Sequence, residues 1–425
     1  MAAAAVMNPP RRREHPFLNM ELGRPFVKRR AGATAEVAGW VLFRRTVPWV
    51  GREQAGRYPS SAHATVAFGA GNEVTASVAL GCPPMLSLAL VVAGQAVRTA
   101  GPWWAWPSLL AADEDRILIQ VPNPPASVLL VFKAHPQVAT LDVLPQRVPP
   151  RALPARGTGL LSAGDDYVVA SMDYRYVPVG ELEVATVTIY RSSSQAWTVR
   201  HIPLPGLANG NVVNRWTPDA TFSYHHCICF VDYARCILVC DVLSDEPGLI
   251  QVDLPPCAPA TPRQIAQGHW NFRAVTASQN LVKFMDVDAR PGVDDICINV
   301  WALDVHGYIW TQQGGIRVSC RPQLPQFPVL SGNDADVVHF LVPHAPGDRY
   351  LYSVNWMTGE LISKFRYIEE DVRVARPDTP YVGSYVAQYV KKPPVKAVAF
   401  PDTLPGACPI TSLENHAPKR KAKKD

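Results

Sequence analysis

The sequence predicts an all-β fold, and three observations support this prediction. Apolar runs of about four to nine residues follow one another along the chain and are broken by Pro, Gly and acidic turns. Proline accounts for 41 of 425 residues and sits at the ends of the apolar runs, where strands stop. Long amphipathic helical stretches are missing. We therefore expect a β-propeller-like domain of about six blades.

The clearest group of strands lies between Cys227 and Pro256. Three apolar runs, 227–233, 235–243 and 249–254, are separated by abrupt turns, and the residues Asp-Glu-Pro-Gly at 245–248 form the second break. Asp232 and Asp241 lie among these apolar residues, where an unpaired carboxylate is costly. We expect each to accept hydrogen bonds from backbone N–H groups or a Ser or Arg partner, as a structural fastener between strands.

Further strands are predicted on both sides of this group. They are 40–50, 64–68, 74–80, 85–92, 108–121 with an acidic turn inside, 127–133, 139–144, 165–172, 185–191, 197–204, 272–287, 296–303, 308–318, 337–342, 350–356 and 360–367. Leu-Pro closures recur at 143–145, 203–205 and 253–256, a spacing of roughly 50 to 60 residues that is typical of propeller blades. The segment 355–359, Asn-Trp-Met-Thr-Gly, predicts a hairpin turn.

The positive charge is concentrated at the two ends of the chain. Residues 1–30 carry seven Lys or Arg and two Glu, and residues 419–425 carry five Lys or Arg and one Asp. These are net charges of +5 and +4 against +5 for the whole chain, so the remainder carries −4. We expect a disordered basic segment over 1–37, the propeller over 38–390, and a disordered Pro-rich and basic tail over 391–425. A mildly acidic body argues against nucleic-acid binding by the folded domain.

The cysteine count and the apolar runs bear on the compartment. Nine cysteines, an odd number, with no evident signal peptide, favour a reducing compartment. No apolar run approaches 18 residues, so we expect no transmembrane helix and no membrane as a partner. The basic run Lys419, Arg420, Lys421, Lys423 and Lys424 suggests nuclear localisation, and we expect a nuclear or cytoplasmic protein. Organelle targeting by the Ala- and Arg-rich N-terminus is the alternative.

Several segments resemble a plant family, abundant in grasses, known as domain of unknown function 1618. Its hallmark run WVDLWRGILLCDVL is similar to the segment that starts Phe230-Val231-Asp232-Tyr233 and continues through 237–243, and its closure to 250–255. The stretches 40–47, 108–121 and 272–287 also agree, so the resemblance covers about residues 38–390. One turn departs from the pattern, because Tyr233-Ala234-Arg235-Cys236 replaces Trp-Arg-Gly. The resemblance implies a strand pattern like that of F-box-associated propellers, and it implies no activity or ligand.

Cys227, Cys229, Cys236 and Cys240 could suggest a zinc site. However, two Cys separated by one residue on a strand are almost 7 Å apart, whereas zinc knuckles bring sulfurs together at a tight turn. Cysteine also behaves as a small buried hydrophobe. We therefore expect Cys227, Cys229 and Cys240 to be buried thiols without metal, with a metal or redox role as the alternative.

The remaining candidates for function are few. Trp103, Trp104 and Trp106 form a dense aromatic segment that could be an interaction surface or a lid over sheet edges. Gly157-Thr158-Gly159 with Ser162 falls short of a dinucleotide-binding motif, and no nucleophile elbow, zinc-protease motif or P-loop is found. The sequence therefore predicts no catalytic, cofactor-binding or metal-binding residues.

From these observations we expect a non-catalytic scaffold or adaptor for protein–protein interaction, of the F-box-associated propeller type but without an F-box. The partner would be an unknown protein. One alternative is a hydrolase or glycosidase with carboxylates in the propeller channel. The other is nucleic-acid binding through the basic tails alone.

Overall fold

The fold is described from a computed structural model of the chain. The described residues are 40–45, 47, 49–50, 62–68, 72–79, 88–93, 107–146, 153–204, 216–256, 271–367 and 381–384, with gaps at 124–125, 155, 175–183, 217, 279–280, 289–295, 306, 319–323, 333 and 346–347. The secondary-structure elements within these residues are all β-strands. No helix among them is long and apolar enough to cross a membrane.

Five four-stranded antiparallel sheets follow one another along the described part of the chain, each with its strands in sequence order. They are β6–β9 (Ser108–Asp113, Arg116–Asn123, Ala126–Lys133, Thr140–Val143), β10–β13 (Thr158–Ala163, Asp166–Tyr174, Val184–Arg191, Ala196–Pro203), β14–β17 (Ala220–Tyr224, Cys227–Asp232, Cys236–Asp241, Leu249–Asp253), β18–β21 (Arg273–Ser278, Leu281–Asp288, Ile296–Asp304, Ile309–Val318) and β22–β25 (Gln326–Leu330, Val337–Ala345, Asp348–Asn355, Leu361–Tyr367). The first strands of consecutive sheets contact each other and form the inner ring of a β-propeller. We number these sheets as blades 1 to 5.

The two ends of the described chain meet between blade 5 and blade 1. Strand β1 (Val41–Arg44) pairs antiparallel with β26 (Tyr381–Ser384). Arg45 Nη1 donates hydrogen bonds to the carbonyl oxygens of Leu109 and Leu110 in blade 1, at 3.1 and 3.0 Å. On the other side, the ring of Trp40 stacks on His339 of blade 5, with centroids 5.5 Å apart. A strand from the N-terminal part therefore closes the ring.

The propeller fold predicted from the sequence is confirmed, with five blades instead of about six. A sixth four-stranded sheet, made of β2 (Trp49–Val50), β3 (Ala62–Phe68), β4 (Asn72–Ala79) and β5 (Leu88–Ala93), also lies in the described part of the chain. Its strand order is β2-β5-β4-β3, and β2 runs parallel to β5, so this sheet is not a four-stranded meander. Its apolar runs resemble those of the blades, and for this reason the sequence predicts one blade more than the fold contains.

The hydrophobic core consists of layers between neighbouring sheets. One layer, with Phe43, Val74 and Phe132, joins the closing strand β1 and the sixth sheet to blade 1. The next four join blades 1 and 2, 2 and 3, 3 and 4, and 4 and 5 in turn. Because both faces of a blade are covered, the middle strands read as continuous apolar runs, and all six residues of β15 are buried.

Several predicted turns and strand ends are confirmed. The three strands predicted at 227–254 correspond to β15, β16 and β17. The Leu-Pro closures follow the outermost strands of blades 1, 2 and 3, where each blade ends. In the hairpin at 355–359, Asn355 Oδ1 accepts hydrogen bonds from the backbone N–H groups of Met357 and Thr358, both at 2.9 Å, and Gly359 has a φ of 75°.

Candidate functional site

Two of the predicted functional segments lie in parts of the chain that the structure does not describe. Trp103, Trp104 and Trp106 lie outside the described residues, and so do the basic residues Lys419, Arg420, Lys421, Lys423 and Lys424.

The four clustered cysteines are free, buried thiols, as predicted for Cys227, Cys229 and Cys240. Alternation along the strands divides them between two faces of blade 3. Cys227 and Cys229 face the layer shared with blade 4, while Cys236 and Cys240 face the layer shared with blade 2. Burial raises the pKa of the Cys236 thiol to about 11 and that of Cys240 to about 12. This arrangement opposes a four-cysteine metal site, because the sheet separates the two pairs.

Asp232 and Asp241 accept backbone hydrogen bonds, as predicted. Asp241 Oδ1 accepts from the N–H groups of Leu243 and Ser244, at 3.1 and 3.2 Å. Asp232 Oδ1 accepts from Ala234 N at 2.9 Å. These three bonds span only two or three residues, so they fix the turns that follow β16 and β15 and do not themselves join one strand to another.

The segment with Gly157, Gly159 and Ser162 is not a nucleotide-binding loop. It contains β10, the innermost strand of blade 2. Ser162 N donates to Asp113 Oδ2 at 2.6 Å, and Ser223 Oγ donates to Asp113 Oδ1. Asp113 thus connects the innermost strands of blades 1, 2 and 3, and burial raises the pKa of its carboxyl group.

A second polar cluster occupies the opposite end of the inner ring, where the first strands of the blades begin. We call this end the mouth. Arg156 lies two residues before β10, Asp219 directly precedes β14, and Arg273 begins β18. The turn between β15 and β16 reaches the same end because β15 runs antiparallel to β14. Side chains from three consecutive blades therefore converge there.

Tyr233 is the centre of this cluster and is 3% exposed. Its backbone N–H donates to Asp219 Oδ2 at 3.0 Å, and its carbonyl oxygen accepts from Arg273 Nη1 at 2.6 Å. Its hydroxyl oxygen accepts a hydrogen bond from the backbone N–H of Val275 at 3.2 Å. Contacts from blade 3 and blade 4 thus fix the turn from both sides.

Two of the carboxylates at the mouth contact an arginine. Arg273 Nε lies 2.9 Å from Asp286 Oδ1, and both side chains are largely buried. Burial raises the pKa of the Asp286 carboxyl, while the charge of Arg273 opposes that shift. Arg235 Nε lies 3.7 Å from Asp232 Oδ2. These pairs make the mouth a surface of mixed charge.

Asp219 differs from these two carboxylates. It is partly exposed, and burial raises its pKa to about 6, with the neighbouring charge of Asp232 acting in the same direction. The Tyr233 amide and the charge of Arg156 act against the shift. A carboxyl group with such a pKa changes its charge just below neutral pH.

The sequence did not reveal most of this cluster. Asp232 and Tyr233 belong to a strand pattern that the sequence shows, whereas no motif singles out Asp219 or Arg273. The position of a charged residue at the start of an apolar run could have marked both. Which starts meet at one end of the ring depends on the blade order, and this becomes visible only in the fold.

The fold is a β-propeller, and the mouth is a hydrogen-bonded polar surface at one end of its ring. Residues 230–339 match the family model described as "Protein of unknown function (DUF1618)", which confirms the resemblance to the domain of unknown function 1618 family. The matched segment begins in β15 and contains the β15–β16 turn.

Comparison with curated protein sequences finds no significant match. Among solved structures, a dihydro-heme d1 dehydrogenase, NirN, is 10% identical, with 88% of this chain and 80% of that chain covered and a TM-score of 0.37. A putative 6-phosphogluconolactonase from Bacteroides fragilis is 10% identical, with coverages of 72% and 84% and a TM-score of 0.31. Similarity at this level does not extend to activity.

Proposed function

We propose that this protein is a non-catalytic binding propeller that engages a protein partner through the mouth. The observation that carries the proposal is the β15–β16 turn, which hydrogen bonds from two blades fix in one position. A surface that is ordered before binding loses little conformational entropy when a partner docks, and this favours affinity.

The composition of the mouth supports a protein partner. Ala234 is exposed at the tip of the turn, and Arg235 beside it has a side chain that is 31% exposed. Arginine is enriched among residues that dominate protein interfaces, because its planar group can stack and form several hydrogen bonds at once. Charged groups of both signs around it would favour one partner orientation over others.

Affinity purification with an Arg235→Ala variant tests this proposal. We expect a specific partner to be retained by the unmodified protein and lost with Arg235→Ala. The matched control is Arg200→Ala, which removes an exposed arginine from the outermost strand of blade 2. Equal retention by both variants would show that the mouth is not the binding surface.

A hydrolase is the second candidate, because Asp219 and Asp232 influence each other and the pKa of Asp219 is about 6. A carboxyl group of this kind can donate a proton in general acid catalysis. Against this function, one oxygen of each carboxylate already holds the backbone of the turn. Turnover of a panel of glycoside and ester substrates that disappears with Asp219→Asn would support the hydrolase.

A further inference from the structure

Of the three carboxylates Asp219, Asp232 and Asp286, Asp219 is the one without an arginine contact in the part of the chain that the structure describes. Asp232 and Asp286 each contact an arginine. Asp219 Oδ2 accepts a hydrogen bond from the backbone N–H of Tyr233. Among the residues that the structure describes, Oδ1 makes no hydrogen bond, and no cationic group lies within 4 Å of the carboxylate. Partial exposure of Asp219 leaves it accessible from solvent.

Charged groups surround Asp219 and Tyr233 on every packed element. They are Asp232 and Arg235 on the β15–β16 turn, Arg156 before β10, Arg45 after β1, Arg273 at the start of β18, and Asp286 on β19. Arg235 and Arg273 contact other carboxylates. The charge of Asp232 repels that of Asp219, and the charge of Arg156 partly offsets this repulsion. A cation placed against Asp219 would relieve this repulsion.

We propose that Asp219 is the docking point for a cationic side chain, a lysine or an arginine, of the protein partner. The inference rests on the proposed function of the mouth and specifies the chemistry of the partner. A guanidinium or ammonium group would bind Asp219 Oδ1 while Oδ2 keeps its bond to the Tyr233 amide. The partner segment is therefore basic at this position, and Tyr233 holds the receiving carboxylate in place.

Protonation of Asp219 provides a second, independent readout. The cation binds only the ionised carboxylate, so binding strengthens as pH rises through the pKa of about 6. With that pKa, about nine-tenths of the carboxylate is ionised at pH 7 and about one-tenth at pH 5. Affinity at pH 5 is therefore expected to be about tenfold weaker than at pH 7.

The probe for this inference is a fluorescein-labelled pool of random peptides with one fixed central arginine, compared with the same pool carrying a central glutamine. We expect fluorescence polarisation to show binding of the arginine pool at pH 7 and at least a tenfold loss with Asp219→Asn. Asn keeps an oxygen acceptor for the Tyr233 amide, and thermal melting checks that the variant folds. Asp219→Ser is the second uncharged variant, and Asp245→Asn, at an exposed carboxylate of the β16–β17 turn, is the control.

Three outcomes would overturn the inference: equal binding of the two pools, unchanged binding by both uncharged variants, or a pH dependence that persists in Asp219→Asn. The proposed function has a separate test. If the arginine pool fails to bind while partner capture still depends on Arg235, the mouth binds a partner of different chemistry. If capture does not depend on Arg235, the proposed function itself is wrong.

Discussion

Trp310 Nε1 donates a hydrogen bond of 2.7 Å to the backbone carbonyl oxygen of Asp253, and this bond joins the outermost strands of blades 4 and 3. Trp197 Nε1 makes the same kind of contact with the carbonyl oxygen of Pro145, at 2.8 Å, between blades 2 and 1. Each tryptophan is the second residue of its outermost strand. Both acceptors belong to Leu-Pro closures, so these segments end one blade and bind the next.

We predict that Trp310→Phe lowers the free energy of unfolding by about 1 kcal/mol through the lost hydrogen bond. The smaller ring of Phe also loses apolar contact at this partly buried position. Trp197→Phe is expected to have a similar effect, because its contact is equivalent. Urea denaturation monitored by circular dichroism measures both. A stability loss confined to one of the two variants would contradict the equivalence of the contacts.

We predict that Gly159→Ala destabilises the fold through overpacking between blades 2 and 3. A Cβ atom at Gly159 would lie 2.6 Å from Cγ2 of Ile228, which is fully buried. Overpacking in a close-packed layer typically costs about 1–3 kcal/mol. The control is Gly248→Ala, since a Cβ there meets nothing within 4 Å. Denaturation midpoints that fall equally for both variants would show that the cause is not this contact.

The sequence predicted more of the fold than of the site, and the reason is physical. Strands such as β15 and β16 are marked locally, because their own apolar residues and turn residues determine them. Strand β10 is not marked locally, because Gly157 and Gly159 interrupt the pattern at its start, whereas close packing against Ile228 is what requires Gly159. Long-range contacts such as Tyr233 to Arg273 depend on blade order, which no local pattern contains.

We predict that Cys229→Ser costs roughly 1–3 kcal/mol of stability, because it places a hydroxyl group in an apolar layer without a partner. Cys229 is 2% exposed and burial raises the pKa of its thiol well above the usual value. The matched control is Cys297→Ser, at a partly exposed cysteine. In the native protein, iodoacetamide labelling read by peptide mass spectrometry should modify Cys297 before Cys229. Stoichiometric zinc that disappears with Cys229→Ser would contradict the structural role.

We propose that the basic run at residues 419–424 directs part of the protein to the nucleus, because a cationic segment on an acidic body attracts polyanionic grooves. The expected result is a higher nuclear-to-cytoplasmic ratio for a full-length fluorescent fusion than for one that ends at Ala417. A matched control replaces Lys419, Arg420, Lys421, Lys423 and Lys424 by glutamine, without shortening the chain. An unchanged nuclear-to-cytoplasmic ratio in both variants would show that the basic run does not direct the protein to the nucleus.

We predict that acid destabilises the closure of the ring through His339. It is 3% exposed, its Nδ1 lies 2.8 Å from Ser353 Oγ, and its Nε2 is buried without a hydrogen-bond partner. Neither Ser353 nor the stacked Trp40 carries a charge. Burial lowers the pKa of His339 from 6.5 to about 4, since a charged imidazole would lose its hydration there.

A lowered pKa means that the folded state binds the proton more weakly than the unfolded state does. The protein therefore keeps its full free energy of unfolding above pH 6.5 and loses up to about 3 kcal/mol of it progressively as the pH falls from 6.5 to about 4. His339→Gln removes the titrating group, so its free energy of unfolding should depend less on pH between 6.5 and 4 than that of the unmodified protein. His63→Gln, at an exposed histidine, should keep the original dependence. Urea denaturation across this pH range measures all three proteins, and an equal pH slope in His339→Gln would show that His339 is not the acid-sensitive group.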